Sequence, residues 1–210
     1  MAEQVILIRH CEEEPGLRRS PSLRDMTDWQ RTEADRPLTP RGALQAARLA
    51  DRLAGHAPRA LWTSPLRRAQ ETARAIAERL ELEAEVHPEL AEVSFGRPPA
   101  VDSPLGRLRL PRRAAYALMR SLWLAGLTRG VDGPDELARR ARRIAGRLEA
   151  ADEVPATVTH GVVLVYLLSV LVHPRAAPRP RRGHLPASGE MLRLERTDRR
   201  WRIVDRWTPA

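Results

Sequence analysis

Four aliphatic residues in a row, Val5 to Ile8, stand near the N-terminus and stop abruptly at Arg9 and His10. The run is too short for a helix, and an unbroken apolar run is typical of a strand buried on both faces of a sheet. Such strands belong to folds in which helices cover a mostly parallel sheet. Ligands bind at the carboxyl ends of these strands, where loops and helix N-termini converge. We therefore expect Arg9 and His10 to lie in a functional site.

The remaining pattern favours an α/β fold of one domain, a three-layer sandwich with a mostly parallel central sheet between helices. Further strands are predicted at residues 59–63, from residue 86, at 154–159 and, as a closing hairpin with a turn near 197–198, at 191–194 and 201–207. Helices are predicted at residues 40–54, 65–80, about 112–127, around 137–148 and at 162–172. The alternation of the two patterns leaves no linker between separate domains.

Two of these helices are predicted to begin where a hydroxyl residue precedes proline, at Thr39-Pro40 and at Ser64-Pro65. Their apolar residues indicate which sides are buried. The predicted buried residues are Leu44, Ala47, Ala50 and Ala54 in the first helix, Leu66, Ala69, Ala73, Ile76, Ala77 and Leu80 in the second, Tyr116, Leu118, Leu122 and Trp123 in the third, and Leu137, Ala141, Ile144 and Leu148 in the fourth.

A length of 210 residues fits one domain spanning residues 1–210. Two long segments, at about 12–36 and 96–133, are expected to be loop insertions, the first with room for one short helix. Residues 174–186 form a third loop, rich in Arg and Pro. Loops of such length usually cover a functional site, so we expect them to shape its entrance.

The formal net charge of +9 is carried entirely by arginine, since the chain has no lysine. The arginines are scattered over predicted helices and interleaved with acidic residues, which favours solvated helix faces over a nucleic-acid interface. A single cysteine excludes an internal disulfide and fits a reducing cytoplasm. With no basic segment before the first apolar run, and an apolar stretch at 161–172 too short for a bilayer of about 30 Å, we expect a cytoplasmic protein without nucleic-acid or membrane partners.

A second predicted strand also delivers a histidine, because residues 154–159 run into His160-Gly161. Arg67 and Arg68 lie near the start of a predicted helix, at the end of a third strand. Arginine suits a phosphoryl group, since its planar guanidinium donates two parallel hydrogen bonds and keeps its charge. Neutral imidazole can attack phosphorus, and neighbouring arginines disfavour its protonation. Each residue alone is more often structural, so the inference depends on their order and spacing.

That order resembles the histidine phosphatase superfamily, also called the phosphoglycerate mutase-like family. The family's Arg-His-Gly motif after an apolar strand corresponds to Arg9-His10-Cys11. The corresponding later segments are Pro37-Leu38-Thr39-Pro40-Arg41-Gly42-Ala43-Leu44-Gln45-Ala46, Ser64-Pro65-Leu66-Arg67-Arg68-Ala69-Gln70-Glu71-Thr72-Ala73, Leu90 to Gly96, and His160-Gly161. Together these motifs cover residues 5 to about 170.

The resemblance implies a phosphoglycerate mutase-like fold and a histidine acid-type phosphatase. It implies that His10 is the nucleophile, that Glu92 is the general acid and base, and that Arg9, Arg68, His160 and Gly161 bind phosphate. No metal or other cofactor is implied, and no cluster of residues with ligand spacing suggests one. The implied substrate is a small phosphorylated molecule, and the implied assembly is a monomer or homodimer.

Several departures from the family pattern leave other functions open. Cys11 replaces the glycine after the nucleophile, no asparagine follows within residues 13–17, and Gly96-Arg97-Pro98-Pro99 differs from the usual continuation after the acid. The alternatives are a mutase-like phosphotransferase and a catalytically idle protein that binds a phosphorylated ligand. A cysteine phosphatase is disfavoured, since six residues rather than five separate Cys11 from Arg18 and three are glutamates.

Overall fold

The computed structural model describes residues 2–15, 20–31, 35–173, 185–198 and 200–209. Together they form one α/β domain with helices on both faces of a six-stranded sheet. The strands are β1 (Gln4–Arg9), β2 (Ala60–Thr63), β3 (Ala84–Val86), β4 (Pro155–Thr159), β5 (Met191–Thr197) and β6 (Arg200–Trp207). The helices are α1 (Leu23–Arg31), α2 (Pro40–Ala54), α3 (Arg67–Leu80), α4 (Arg112–Leu124), α5 (Pro134–Ala150) and α6 (Gly161–Val172).

The sheet has the strand order β3-β2-β4-β1-β5-β6. The first four strands are parallel, and β5 and β6 add antiparallel at one edge. The expected mostly parallel sheet and the closing hairpin are thus confirmed. Residues Val5 to Ile8 of β1 are completely buried, as their unbroken apolar pattern predicts.

Successive side chains of β1 enter two different cores, because they point to opposite faces of the sheet. Val5 and Leu7 pack in the core that contains α5 and α6. Ile6 and Ile8 pack in the core that contains α2 and α3. Helix α2, the second helix after β1, and helix α6, which directly follows β4, therefore lie on opposite faces. A crevice is expected at such a point, between the carboxyl ends of β1 and β4.

The buried side of α2 differs from the predicted one. Leu44 is 65% exposed, whereas Gln45, Ala46, Leu49 and Leu53 are buried. The helix begins as predicted, with the Thr39 side chain accepting a hydrogen bond from the Gly42 backbone N. Its rotation is set by contact with the segment after β1, since a Cβ at Gly42 would lie 2.0 Å from the Glu12 backbone O. This contact between distant segments outweighs the apolar pattern.

Helix α3 begins at Arg67 rather than at Pro65. The predicted cap, Ser64, instead continues the ladder of β2, because its backbone N donates to the Val158 O at 3.1 Å. Leu66 holds the N-cap position without a side-chain cap. Leu66, Ala77 and Leu80, which the sequence predicts to be buried, are only half-buried. Arg68 and Thr72 are buried instead. The cationic side chain of Arg68 is therefore buried within the fold.

The boundaries of β3 and α4 and the buried face of α4 also differ from the predicted ones. Val86 ends β3 rather than beginning it, and α4 ends at Leu124. The buried residues of α4 are Ala115, Met119 and Trp123, while Leu118 is exposed. Trp123 selects this face, since its ring packs on Phe95 and its Nε1 donates to the Asp132 O at 2.9 Å. In α5, the four predicted residues are buried.

The long segment at 12–36 contains α1, the one short helix for which the sequence left room. The segment at 96–133 contains two 3-10 turns, Pro99–Asp102 and Pro104–Arg107, and then α4. Of the third predicted loop, residues 174–184 lie outside the described residues.

Candidate active site

The carboxyl ends of β1 and β4 bring two histidines together. The parallel register pairs Arg9 with Thr159, so the next residues, His10 and His160, are neighbours. The His10 backbone N donates to the Thr159 O at 2.9 Å, and the two ring centroids are 4.9 Å apart. Both side chains are buried. The predicted pairing of two strand-end histidines is therefore present.

The hydrogen bonds of His10 define its tautomer. Its Nδ1 lies 2.7 Å from the Cys11 carbonyl O, which can only accept, so Nδ1 carries the proton. Nε2 then holds a lone pair and accepts a hydrogen bond from Arg68 Nε at 3.3 Å. Burial, with the charges of Arg68 and Arg9, holds the pKa of His10 well below its usual value. The imidazole is therefore neutral, with Nε2 available as a nucleophile.

Arg9 and Arg68 reach the site from two elements. Arg68 is buried in the first turn of α3. Arg9 Nη1 donates to the Pro186 O at 2.6 Å, and its Cζ lies 3.5 Å from where a Cβ on Gly161 would stand. This distance is an ordinary van der Waals contact, so the guanidinium packs directly over Gly161. Within the described residues, Arg9 Nε is buried without a hydrogen-bond partner and can donate to a ligand.

His160 is anchored on its other side by a residue with no predicted role in the site. Its Nε2 lies 2.7 Å from Ser64 Oγ, at the end of β2. Its Nδ1 is buried and has no hydrogen-bond partner among the described residues. Burial, then the neighbouring His10, Arg68 and Arg9, hold the pKa of His160 well below its usual value. His160 is thus a neutral ring with a nitrogen available to a ligand.

Glu92 lies in the loop after the 3-10 turn Pro88–Leu90. Its Oε1 accepts from the Val93 N at 2.9 Å, and its Oε2 accepts from the Val162 N at 3.5 Å. Burial raises the pKa of Glu92, although the Val93 N–H and the two arginines of the site oppose the rise. The Val162 contact places this carboxyl at the N-terminus of α6, directly after His160 and Gly161. A carboxyl with a raised pKa can serve as a proton donor.

Arg140 supports the loop that carries Glu92. Its Nη2 donates to the Ala91 carbonyl O at 2.9 Å, and it is one of the charges that act on the pKa of His160. The sequence favoured solvated helix faces for the arginines of α5. No periodicity distinguishes Arg140 from Arg139, which also lies between the buried Ala138 and Ala141 but is exposed.

A carboxylate also enters the site, which the sequence did not predict. Glu13 Oε2 lies 3.0 Å from Arg68 Nε and 3.4 Å from Arg36 Nη1. Arg36 is buried, and its guanidinium stacks on Trp29 with its Cζ 4.0 Å from the ring centroid. Glu13 therefore lies against one of the arginines that the resemblance assigns to phosphate. The sequence signal for this contact was Glu13 itself, which lies in residues 13–17, the stretch where no asparagine is present.

Cys11 packs away from this chemistry. It is fully buried in the core that contains Ile6 and Ile8. Burial raises the pKa of its thiol to about 12, so a thiolate is absent at neutral pH. A Cβ on Gly189, which has a φ of +76°, would lie 3.3 Å from Cys11 Sγ. These properties disfavour the cysteine phosphatase alternative.

The described part of the chain has neither a metal-binding cluster nor a membrane-spanning helix. It holds no cluster of three or more His, Cys, Asp or Glu residues arranged to bind a metal ion. It also holds no helix with the length and apolar character required to cross a membrane.

Comparison with known families agrees with the geometry around His10. The model of the histidine phosphatase superfamily (branch 1) matches residues 5–208. The chain belongs to this superfamily. The resemblance inferred from the motifs is confirmed, and so is the phosphoglycerate mutase-like fold.

Several solved phosphatase structures share this fold. A mycobacterial glucosyl-3-phosphoglycerate phosphatase superposes with a TM-score of 0.70 at 22% identity, covering 99% of both chains. A proposed α-ribazole-5′-phosphate phosphatase from Escherichia coli superposes with a TM-score of 0.71 at 25% identity, covering 97% of this chain and 95% of the other. The protein histidine phosphatase SixA, solved with tungstate, has a TM-score of 0.55 at 16% identity, covering 98% and 97%. A search of curated protein sequences finds no match.

The position of Glu13 predicts that this member of the superfamily binds oxyanions less tightly than its arginines allow. Glu13→Gln removes the negative charge and keeps the size of the side chain. We expect the inhibition constant for inorganic phosphate to fall about tenfold, which corresponds to about 1.4 kcal/mol. The matched control is Glu14→Gln, which neutralises the exposed neighbour. Equal inhibition constants in the two variants would contradict the role given to Glu13.

The two buried histidines predict a loss of stability in mild acid. Their pKa values are lowered in the folded protein and return to about 6.5 on unfolding. As pH falls through that value, the unfolded chain binds protons that the folded one excludes, so the free energy of unfolding decreases. Each histidine contributes up to about 1.4 kcal/mol per pH unit.

Urea unfolding from about pH 7.5 to about pH 5.5 measures this slope over the range of the unfolded-state pKa. The double variant His10→Asn/His160→Asn is expected to have a shallower slope, whereas His173→Asn, at an exposed position, keeps the original one. A slope that is the same in all three proteins would refute the assignment.

Proposed function

We propose that this protein is a metal-independent phosphatase that hydrolyses a small phosphate monoester through a phosphohistidine on His10. The main observation in support is the state of the His10 ring, which is a neutral imidazole whose Nε2 lone pair faces Arg68. Two names among the related structures support a small phosphorylated substrate, namely a glucosyl-3-phosphoglycerate phosphatase and an α-ribazole phosphatase.

In the first step, His10 Nε2 attacks phosphorus and the bond from phosphorus to the ester oxygen breaks. Protonated Glu92 gives its proton to the departing alcohol oxygen. In the second step, a water attacks the phosphohistidine while the Glu92 carboxylate takes its proton. The bond between nitrogen and phosphorus breaks, inorganic phosphate leaves, and both residues return to their starting states.

The two arginines and the neutral His160 act on the phosphoryl oxygens. Arg9, Arg68 and His160 donate hydrogen bonds to them as negative charge shifts during transfer. Arg68 Nε, which donates to His10 Nε2 in the free protein, then transfers this hydrogen bond to the substrate and releases the lone pair for attack. The Glu13 carboxylate moves aside at the same time, since it would repel the bound phosphoryl group.

The proposal extends to the organisation of the chain. Residues 1–210 act as one phosphatase domain, with the insertions at about 12–36 and 96–133 shaping the substrate entrance. The single cysteine, buried as a thiol, supports a cytoplasmic location. The protein acts as a monomer or homodimer without a cofactor.

A panel of phosphate monoesters, assayed for phosphate release in the presence of EDTA, tests the activity. We expect turnover that EDTA leaves unchanged and that orthovanadate, a phosphate-like oxyanion, inhibits. Turnover abolished by EDTA would refute metal independence. Binding of inorganic phosphate without turnover of any ester would instead support the catalytically idle alternative.

A further inference from the structure

A cavity of about 360 Å³ opens between α4, α6 and the segment that follows Glu92. Val162 lines this cavity, and its backbone N is the group that donates to Glu92 Oε2. Leu185 also lines it and precedes Pro186, whose carbonyl accepts a hydrogen bond from Arg9. The cavity therefore adjoins the acid that would protonate the departing alcohol. Its volume lies within the range of small-molecule sites.

The wall of this cavity contains three aromatic rings that pack against one another. The rings of Phe95 and Tyr116 pack edge to face with centroids 5.4 Å apart, and Phe95 packs on Trp123 at 5.9 Å. Phe95 and Trp123 are buried, whereas Tyr116 is half-buried. Such a wall favours an apolar group, above all a flat ring that can pack against other rings.

The rim of the cavity carries three arginines of α4, namely Arg112, Arg113 and Arg120. All three are exposed, and none has an ion pair or hydrogen bond with another group in the described part of the chain. Helix α4 contains no acidic residue. The arginines of α5 differ, since Arg139 and Arg143 pair with glutamates. The cavity thus combines an apolar wall with an uncompensated positive rim.

We propose that this cavity binds the alcohol part of the substrate, and that this part carries an apolar ring and a second anionic group. The inference rests on the proposed phosphatase activity and adds the substrate class. The ring packs on the wall formed by Phe95, Tyr116 and Trp123, while a carboxylate or a further phosphate reaches Arg113 and Arg120. The ester oxygen then lies next to Glu92.

Two aryl phosphates that differ only in charge test the rim. They are 4-(carboxymethyl)phenyl phosphate and its neutral amide, whose leaving phenols have similar acidity. We expect kcat/KM to be about tenfold higher for the carboxylate than for the amide. This ratio is on the scale of the stabilisation that two exposed ion pairs provide. In the double variant Arg113→Gln/Arg120→Gln this preference disappears, while kcat/KM for the amide and inhibition by inorganic phosphate stay unchanged. The control Arg139→Gln/Arg142→Gln on α5 removes the same charge and keeps the preference.

Calorimetric binding of the leaving alcohols separates this inference from the proposed activity. 4-Hydroxyphenylacetate is expected to bind the unmodified protein about tenfold more tightly than 4-hydroxybutyrate, which lacks the ring, and to lose that affinity in the Arg113→Gln/Arg120→Gln variant. Equal kcat/KM values for the two esters, or equal affinities for the two alcohols, would overturn the cavity assignment alone. Binding of 4-hydroxyphenylacetate without hydrolysis of either ester would overturn the proposed activity and keep the cavity assignment.

Discussion

Replacing His10 with asparagine is expected to lower kcat by about 10⁴-fold or more, the scale on which loss of a nucleophile acts. Asparagine can still donate to the Cys11 carbonyl but has no lone pair on nitrogen that could attack phosphorus. The arginines remain, so orthovanadate should still bind. The effect is therefore expected in turnover rather than in folding or in recognition of the anion.

A trapped intermediate provides the more direct measurement. Enzyme mixed with a ³²P-labelled ester and quenched in alkali should retain label, because a bond between phosphorus and histidine nitrogen survives alkali and is cleaved by acid. No label is expected in His10→Asn. The control His56→Asn changes a histidine whose Nε2 lies 3.4 Å from Asp205 Oδ2, away from the site, and should be labelled normally. Label that persists in His10→Asn would place the nucleophile elsewhere.

Replacing Glu92 with glutamine is expected to lower kcat by about 10²- to 10⁴-fold for alkyl phosphates, the usual contribution of general acid–base catalysis. Glutamine can accept only one of the two hydrogen bonds from the Val93 and Val162 backbone N–H groups, since its amide nitrogen can only donate, and it cannot transfer a proton to the departing oxygen. A good leaving group such as 4-nitrophenolate needs little protonation. The first step with 4-nitrophenyl phosphate should therefore be nearly unaffected.

The second step should then limit turnover in this variant, because the water that attacks phosphohistidine lacks its base. Rapid mixing of Glu92→Gln with 4-nitrophenyl phosphate is expected to give a burst of 4-nitrophenolate equal to the enzyme concentration, followed by slow turnover. Glu89→Gln, in the adjacent 3-10 turn, is the matched control and should show the steady-state rate of the unmodified enzyme. If Glu92→Gln hydrolysed alkyl and aryl esters with equally reduced rates and gave no burst, Glu92 would have no role in either proton transfer.

The motifs predicted the family and the fold because their signals are local. A short unbroken apolar run at residues 5–8 indicates a buried strand, and the position of Arg9 and His10 follows directly from where that run ends. The order of Arg68, Glu92 and His160 along the chain then selected one family. The structure brings Arg68 and His160 to His10, and it places Glu92 at the N-terminus of α6 through the Val162 backbone N.

Contacts between distant segments account for most of the differences. The apolar pattern of α2 predicted Leu44 inside, but the close approach of Gly42 to Glu12 turns the helix and buries Gln45. Ser64 resembles a helix cap in sequence, yet its backbone extends the ladder of β2 and its hydroxyl contacts His160. Neither outcome is encoded in the residues that flank it.

The sequence by itself determined the layered α/β architecture, the family, and the set of residues considered for catalysis, since these depend on short patterns of apolar and motif residues. The tertiary structure alone decided the tautomer of His10, the Glu13 carboxylate against Arg68, the support of Arg140 for the Glu92 loop, and the cavity with its arginine rim. Each of these depends on distances and burial between groups far apart in the chain. Burial and nearby charge set the protonation state of a side chain, and both exist only once the chain has folded.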